Sequence, residues 1–307
     1  MKMRIFVTGG AGFIGRHLVK ALIKQNHEIT IYDNFSNSSK ENLKKFPFNK
    51  SKVITGDIRN LDDVSKNSID NDIVIHLAAK ISVNESIQNP QETFETNVDG
   101  TENVLKACHV NKIKKIFALS SAAVYGNNIL NHVSIESENI HPISPYGKSK
   151  QKMEEKIINF SKNYDFDSKI FRLFNVYGEG QSPEYAGVIS KFVECSKKKL
   201  PLTIFGDGKQ TRDFVAIEDV VNLFVKVISL DSKKNGEIYN VASGKYTSIL
   251  ELANLIKKLS NKELEIKFEK KRIGEIDHST ASIKKAKEEL DYEPKIELSQ
   301  GIRKFLI

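Results

Sequence analysis

The chain has 307 residues, 39% apolar and 28% charged, a length that buries a core without covalent staples and a composition ordinary for a globular protein. Its net charge of +8 comes from 40 lysines and 7 arginines scattered without aromatic interleaving, which reads as a solvated surface and argues against a nucleic-acid footprint. Two distant cysteines, Cys108 and Cys195, make no disulfide framework and point to a reducing, cytoplasmic setting; the seven histidines show no metal-ligand spacing, and no apolar run approaches the ~20 residues of a membrane span.

The first apolar run, Ile5-Phe6-Val7, leads straight into a glycine cluster, so it reads as a first strand and not as a signal peptide. Strands are predicted at Arg4–Thr8, Glu28–Tyr32, Lys52–Thr55, Asp72–Leu77 and Lys115–Ser120. Helices are predicted at Phe13–Gln25, Leu61–Lys66 and Pro90–Val110. This alternation of β-branched runs and helical spacing argues for an α/β fold with a doubly wound parallel sheet. A helix at Pro145–Asn163 and a strand at Lys169–Asn175 follow. After Tyr177 the rhythm changes: helix Val188–Lys197, strand Leu202–Phe205, helix Glu218–Ser229 and strand Ile238–Val241. Helix Ser248–Leu259, strand Leu264–Phe268 and helix Ile283–Leu290 complete the reading, which gives a smaller mixed lobe.

Between the first strand and first helix stands Thr8-Gly9-Gly10-Ala11-Gly12-Phe13-Ile14-Gly15. Glycines there allow a tight turn and let a pyrophosphate approach the backbone at a helix N-terminus. Asp33 ends the second strand, 18 residues after Gly15, near the spacing at which a carboxylate holds adenosine ribose hydroxyls and repels a 2′-phosphate. The cofactor read from this is NAD. Asp57, after the third strand, is placed to reach the adenine amino group. His76-Leu77-Ala78-Ala79 ends the fourth strand with small residues that let a cofactor pass close by.

Tyr146 and Lys150 stand one helical turn apart on one face. A phenol with a pKa of about 10 must fall by roughly 3 units, about 4 kcal/mol, to act as a base near neutrality. A neighbouring ammonium together with a positive nicotinamide ring supplies a shift of that sign. The pair alone is no rarer than chance. Its setting raises it: Pro145 precedes Tyr146, and Ser120-Ser121 closes a strand upstream, at the sheet edge where open parallel sheets gather ligands.

With these residues in place, the chain resembles the extended short-chain dehydrogenase/reductases that act on nucleotide sugars, the NAD-dependent epimerase/dehydratase family, and within it the UDP-glucose 4-epimerases. The resemblance runs from Thr8 to about Leu290. It is carried by the glycine turn, Asp33-Asn34-Phe35-Ser36-Asn37, Gly56-Asp57-Ile58-Arg59, His76-Leu77-Ala78-Ala79 and Asn97-Val98-Asp99-Gly100-Thr101. Further along it is carried by Ser120-Ser121-Ala122-Ala123-Val124-Tyr125-Gly126, Tyr146-x-x-x-Lys150, Arg172-Leu173-Phe174-Asn175-Val176-Tyr177-Gly178, Phe205-Gly206-Asp207-Gly208-Lys209-Gln210-Thr211-Arg212-Asp213-Phe214 and Arg272-Ile273-Gly274-Glu275.

The resemblance implies a Rossmann-like NAD-binding domain at 1–174 and 211–241 and a nucleotide-sugar lobe at 175–210 and 242–307. It implies that Tyr146 takes the proton from the sugar 4-hydroxyl while hydride passes from C4 to NAD, that Lys150 lowers the tyrosine pKa and holds the nicotinamide ribose, and that Ser121 bonds the same sugar oxygen. The cofactor contacts it implies are Gly9, Gly12, Phe13, Ile14, Gly15, Asp33, Asn34, Ser36, Asn37, Ser38, Asp57, Ile58, Leu77, Ala78, Ala79, Asn97, Ser121, Tyr146, Lys150 and Phe174. For the UDP-sugar they are Ser121, Tyr146, Asn175, Val188, Thr203, Phe205, Arg212, Arg272, Glu275 and Ser279, with the two arginines clamping the diphosphate. The family's habit of packing two helices per subunit into a four-helix bundle implies a homodimer through Pro90–Val110 and Pro145–Asn163.

Departures narrow the reaction. Family dehydratases carry an Asp-Glu pair where this chain has Ala122 and Ala123, decarboxylases usually carry a glutamate at the second position, and the 3,5-epimerase/reductases a cysteine at the first. Alanine transfers no proton, so what remains is 4-epimerisation of a UDP-hexose through a 4-keto intermediate with retained NAD. The alternatives are a UDP-uronate 4-epimerase or a nucleotide-sugar 4-ketoreductase, and, from a different class, a non-catalytic NAD-binding regulator. Ser279, four residues after Glu275, falls where side-chain size gates an N-acetyl group in similar epimerases; its smallness predicts that N-acetyl sugars are also accepted.

Overall fold

A computed structural model describes residues 2–44, 51–127, 133–137, 140–181, 187–230, 234–271 and 276–306. In chain order the elements are β1 (Arg4–Thr8), α1 (Phe13–Lys24), β2 (Glu28–Asp33), α2 (Lys40–Lys44), β3 (Ser51–Thr55), α3 (Leu61–Asn67), β4 (Ile73–His76), α4 (Val83–Gln88), α5 (Pro90–Phe94), α6 (Gly100–Val110), β5 (Lys115–Ser121), α7 (Pro145–Tyr164) and β6 (Asp167–Leu173). They continue with β7 (Asn175–Tyr177), α8 (Val188–Lys198), β8 (Leu202–Phe205), β9 (Thr211–Arg212), β10 (Phe214–Ala216), α9 (Ile217–Ile228), β11 (Asn235–Val241), β12 (Thr247–Ser248), α10 (Ile249–Ser260), β13 (Ile266–Glu269), β14 (His278–Ser279), α11 (Lys284–Leu290) and α12 (Leu298–Leu306).

The chain divides into two units. One comprises 1–124, 144–172 and 221–239; the other comprises 125–143, 173–220 and 240–307. The first is built on a seven-stranded sheet in the order β11-β6-β5-β4-β1-β2-β3, with β3 through β5 paired in parallel. Strand order reverses between β1 and β4, the switch point at which doubly wound sheets hold ligands. Ile5, Phe6, Val7, Val74, Ile75, Ile116, Phe117 and Ala118 are essentially inaccessible, as expected of strands covered on both faces. Ser144 caps α7 by accepting from the Gly147 N–H at 3.1 Å, and Pro145 occupies its first turn, where a missing N–H costs nothing.

Two predicted elements differ from expectation. The helix read as Pro90–Val110 is interrupted by a π-turn at Glu95–Asp99. Thr101 bonds back to the Asn97 carbonyl at 2.7 Å, and a Cβ at Gly100 would stand 2.6 Å from Ile58 Cδ1, so close packing and a side-chain bond reshape this turn. The strand read as Lys169–Asn175 is two strands: Phe174 stands between them, its N–H bonded to the Val241 carbonyl at the end of β11, and Asn175 then pairs with β10.

The second unit has its own core around Tyr177, Phe192, Leu202, Ile204, Leu252, Ile256 and Ile302. Three small sheets run through it: β10 with β7, β13 with β8, and β12-β9-β14. A reciprocal box of Ser248 and Glu251 starts α10. Among the described residues no helix is long and apolar enough to cross a membrane.

Candidate active site

The glycine turn follows β1 because Gly9 takes φ +69° and a Cβ there would lie 2.6 Å from the Ala78 nitrogen. A Cβ at Gly15 would lie 2.5 Å from the Gly9 carbonyl oxygen, so α1 packs directly on the turn. Gly12 is the N-cap of α1, and a Cβ there would meet only the Gly9 oxygen at 3.2 Å. No side chain caps this helix and no acid stands in its first turn. A backbone cradle at a helix N-terminus, open at the glycine that a Cβ would fill, fits a pyrophosphate. Phe13 and Ile14 are half-buried in this first turn.

Asp33 is buried, and its carboxylate accepts from Ala11 N–H (2.9 Å), Phe35 N–H (2.8 Å) and Ser38 Oγ (3.3 Å). Burial raises its pKa and these bonds oppose the rise. Three donors on a carboxylate with about four acceptor sites leave one for a ribose hydroxyl. Asp57 is gripped by Arg59, Nε at 3.0 Å and Nη2 at 2.7 Å, and by Asn34 Nδ2 at 3.2 Å, which pulls it down to about 2. The fold thus brings Asn34 and Asp57 together. Asn34 Oδ1 also accepts from the Ser36 N–H, while Asn37 lies half-buried beside it in the same loop. Ile58 is buried and packs at Gly100.

Leu77, Ala78 and Ala79 follow β4 and are half-buried. Asn97, fully buried in the π-turn, accepts from Lys80 N–H (2.8 Å) and donates to Lys80 O and Ser149 Oγ, both at 2.9 Å. Ser149 Oγ in turn donates to the Tyr146 carbonyl at 2.7 Å. The backbone N–H of Tyr146 donates to Ser86 Oγ in α4 at 3.1 Å. The start of α7 is therefore tied to α4 and, through Asn97, to Lys80.

Ser121 ends β5, and its hydroxyl stands near enough to the Tyr146 phenol to lower that group's pKa. Tyr146 is 9% exposed; burial raises its pKa and the Ser121 hydroxyl opposes that. Lys150, 4% exposed, donates from Nζ to the Leu119 carbonyl at 2.9 Å; burial brings it down to about 8, against a pull upward from Glu154. Ala122 and Ala123 form a 3-10 turn directly after Ser121, and the Ala123 N–H donates to Ser121 Oγ at 3.2 Å.

Beneath these residues lies a cluster that sequence reading missed. Glu154, one turn beyond Lys150, accepts Arg172 in a bidentate pair (Nε to Oε1 at 2.9 Å, Nη2 to Oε2 at 2.7 Å) and Ser120 Oγ at 2.5 Å. Both charges are 3% exposed or less. The available signal was the four-residue step from Lys150 to Glu154 on one helix face. Arg172, which opens one of the motifs that carry the resemblance, is this pair's cation.

In the second unit, Phe174 packs on Tyr125 at 6.2 Å, and Asn175 Nδ2 donates to the Asp213 carbonyl at 3.1 Å. Thr203 and Phe205 share the half-buried face of β8, while Leu202 and Ile204 face the core. Val188 opens α8, half-buried. Arg212 sits in β9 between Thr247 of β12 and Ser279 of β14. Next to it, Asp213 is inaccessible and accepts from Ser243 N–H, Ser243 Oγ and Gly244 N–H at 2.7, 2.6 and 2.9 Å. Arg272 and Glu275 lie outside the described residues.

A strand-end serine and a buried tyrosine one turn from a lysine, on a doubly wound sheet with a glycine cradle, define a dinucleotide-dependent enzyme of the short-chain type. The family model described as NAD dependent epimerase/dehydratase family matches residues 5–242. The chain is 41% identical over 304 residues to a Methanocaldococcus jannaschii protein named "Putative UDP-glucose 4-epimerase", covering 98% of this chain and 96% of that one. Its fold superposes with a TM-score of 0.93 on the Thermotoga maritima UDP-glucose 4-epimerase crystallised with UDP-glucose, at 32% identity and over 99% and 97% of the two chains. It superposes at 0.92 on the Methanobrevibacter ruminantium UDP-N-acetylglucosamine 4-epimerase in complex with UDP-N-acetylmuramic acid, at 34% identity and over 100% and 98%. The chain belongs to the NAD-dependent epimerase/dehydratase family, and its cofactor is NAD.

Proposed function

We propose that this protein interconverts the C4 epimers of a UDP-hexose, UDP-glucose and UDP-galactose, through a 4-keto intermediate with NAD retained. The observation that carries the reading is the placement of Ser121 at the strand end with Ala122 and Ala123 directly after it, and of Tyr146 buried in the first turn of α7, which leaves one proton-transfer group and none for dehydration. Tyr146 accepts the proton of the sugar 4-hydroxyl and returns it; Ser121 holds the same oxygen; Lys150 supplies positive charge from below. NAD, when bound along the Gly9–Gly15 turn and Asp33, supplies the hydride acceptor and donor. Without a proton-transfer residue at 122 or 123, C5 and C6 are left untouched.

The nucleotide is assigned to Asn175, Val188, Thr203, Phe205, Arg212, Arg272 and Glu275, within the functional division 1–174 with 211–241 and 175–210 with 242–307. The proposed assembly is a cytoplasmic homodimer through the α5–α6 and α7 helices. Ser279 favours a second substrate pair, UDP-N-acetylglucosamine and its C4 epimer, since a small side chain there leaves room at C2; the similarity to an N-acetylglucosamine epimerase supports this. The test is NMR of UDP-galactose incubated with the purified protein and no added cofactor. Appearance of UDP-glucose is expected. Consumption of NADH in proportion to product would replace the epimerase by a ketoreductase, and turnover of a UDP-uronate alone would reassign the sugar.

A further inference from the structure

His76 closes β4 at 2% exposure, with both ring nitrogens satisfied by hydroxyls. Nδ1 lies 2.7 Å from Thr8 Oγ1 at the end of β1, and Nε2 lies 2.9 Å from Thr101 Oγ1 in α6. The proton positions follow from the neighbours. Thr101 Oγ1 lies 2.7 Å from the Asn97 carbonyl, which only accepts, so the threonine hydrogen points there. Nε2 must then donate to Thr101, and the neutral ring accepts at Nδ1 from Thr8. Thr8 Oγ1, having given its hydrogen to the ring, accepts the Ala78 N–H at 3.3 Å. The bonds run in one direction, from Ala78 N–H through Thr8, His76 and Thr101 to Asn97 O.

One end of this chain lies at the glycine turn and the other at Asn97. Thr8 immediately precedes Gly9, whose missing Cβ lets it sit against Ala78. The Leu77 N–H donates to the Thr8 carbonyl at 3.0 Å, so the side-chain bond to Ala78 N–H adds a second tie between the same two loops. Asn97 carries the far end to Lys80 and Ser149. We propose that His76 is a positioning residue for NAD: held neutral as the Nε2–H tautomer, it fixes the Leu77–Ala79 segment against the glycine turn and ties both to Asn97. An imidazolium in its place would aim a second N–H at Thr8 and strand that hydroxyl's hydrogen. Burial and the charge of Lys150 hold the ring neutral, down to about 3. This inference rests on NAD as the cofactor and not on the identity of the sugar.

The test has two arms that need no sugar. In the first, the NAD-loaded protein labelled with 15N-histidine is titrated by NMR from pH 5 to pH 8. His76 is expected to show one protonated ring nitrogen, Nε2, throughout. An Nδ1–H tautomer, or a titrating ring, would overturn the proposal. In the second, NAD affinity is measured for Thr8→Val, which keeps the shape of threonine and removes the bridging hydroxyl, and for His76→Gln. Affinity for NAD is expected to fall about tenfold in Thr8→Val, equivalent to about 1.4 kcal/mol. A variant that melts at lower temperature but binds NAD as tightly as the parent would mark the chain as a core bond only and would also overturn the proposal. Where a variant does not fold, the tautomer of the unaltered protein decides.

Discussion

Ser279 stands directly opposite Arg212 in the parallel pairing of β14 with β9, and the Asp213 N–H donates to the Ser279 carbonyl at 2.8 Å. The proposed C2 gate and the proposed diphosphate clamp therefore share one rung. Because that rung is held by backbone groups, a larger side chain at 279 removes room while the strand pairing stays in place. Ser279→Tyr is expected to lower kcat/KM for UDP-N-acetylglucosamine by about 10- to 200-fold, the range of small steric differences in a pocket, and to leave UDP-glucose within a few-fold. Steady-state kinetics on the two sugars check this, and equal losses on both would remove the gating role.

Asp213 gives the same rung a pH dependence. Burial raises its pKa to about 6 against the bonds from Ser243 and Gly244. With a folded value above the ordinary 3.8, the folded protein holds more protons than the unfolded chain between about pH 4 and 6, so this group's contribution to stability falls as pH rises through that window. Asp213→Asn should flatten that slope. It should also weaken UDP-sugar binding about tenfold, because an amide NH₂ cannot accept from the Gly244 N–H and the loop beside Arg212 loses a tie. Thermal melts against pH and KM for the sugar measure the two effects.

The parts of the site legible in the sequence are those whose chemistry is written in contiguous residues. The glycine turn needs its register and a strand before it, Asp33 needs its distance from Gly15, and Tyr146 and Lys150 need one helical turn; all sit where the pattern placed them. What escaped is long-range pairing. Ser86 meets Tyr146 across 60 positions, and Thr8 meets His76 across 68. No periodicity encodes such hydroxyl bonds. The π-turn at Glu95–Asp99 was invisible because its cause is the bond from Thr101 back to Asn97 and the packing of Gly100 on Ile58. Helix α4, six residues long, is too short for a helical stripe to stand out.

Lys150 predicts opposite pH trends for activity and stability. Its ammonium, held near 8 by burial, is lost as pH rises past that value, and with it the positive charge proposed to favour the Tyr146 phenolate. Turnover should therefore decline on the alkaline side near pH 8. Stability follows the other sign. The folded value lies below the ordinary 10.5, so between about pH 8 and 10.5 the unfolded chain binds more protons and this group's contribution rises with pH. Lys150→Met should abolish the stability slope and cut kcat by about 10²–10⁴-fold, the usual worth of proton-transfer assistance. Tyr146→Phe should cost as much in kcat while leaving NAD bound, which absorbance of the retained cofactor reports.

The Glu154–Arg172 pair under Lys150 is almost entirely out of solvent, so its two charges depend on each other. Glu154→Ala should destabilise the protein by about 3–5 kcal/mol, because the Arg172 guanidinium is left buried without its carboxylate and Ser120 loses its acceptor. Replacing both partners by apolar residues of similar size, Glu154→Leu with Arg172→Met, should cost less than either change alone, since no charge is then stranded. Urea denaturation of the four proteins closes the cycle. Glu154 also raises Lys150 from one turn away, so Glu154→Gln should move the alkaline limb of the rate profile to lower pH. A stability loss with the alkaline limb unmoved would confine the pair to holding β5, β6 and α7 together; a shifted limb would make it part of the tuning of the lysine.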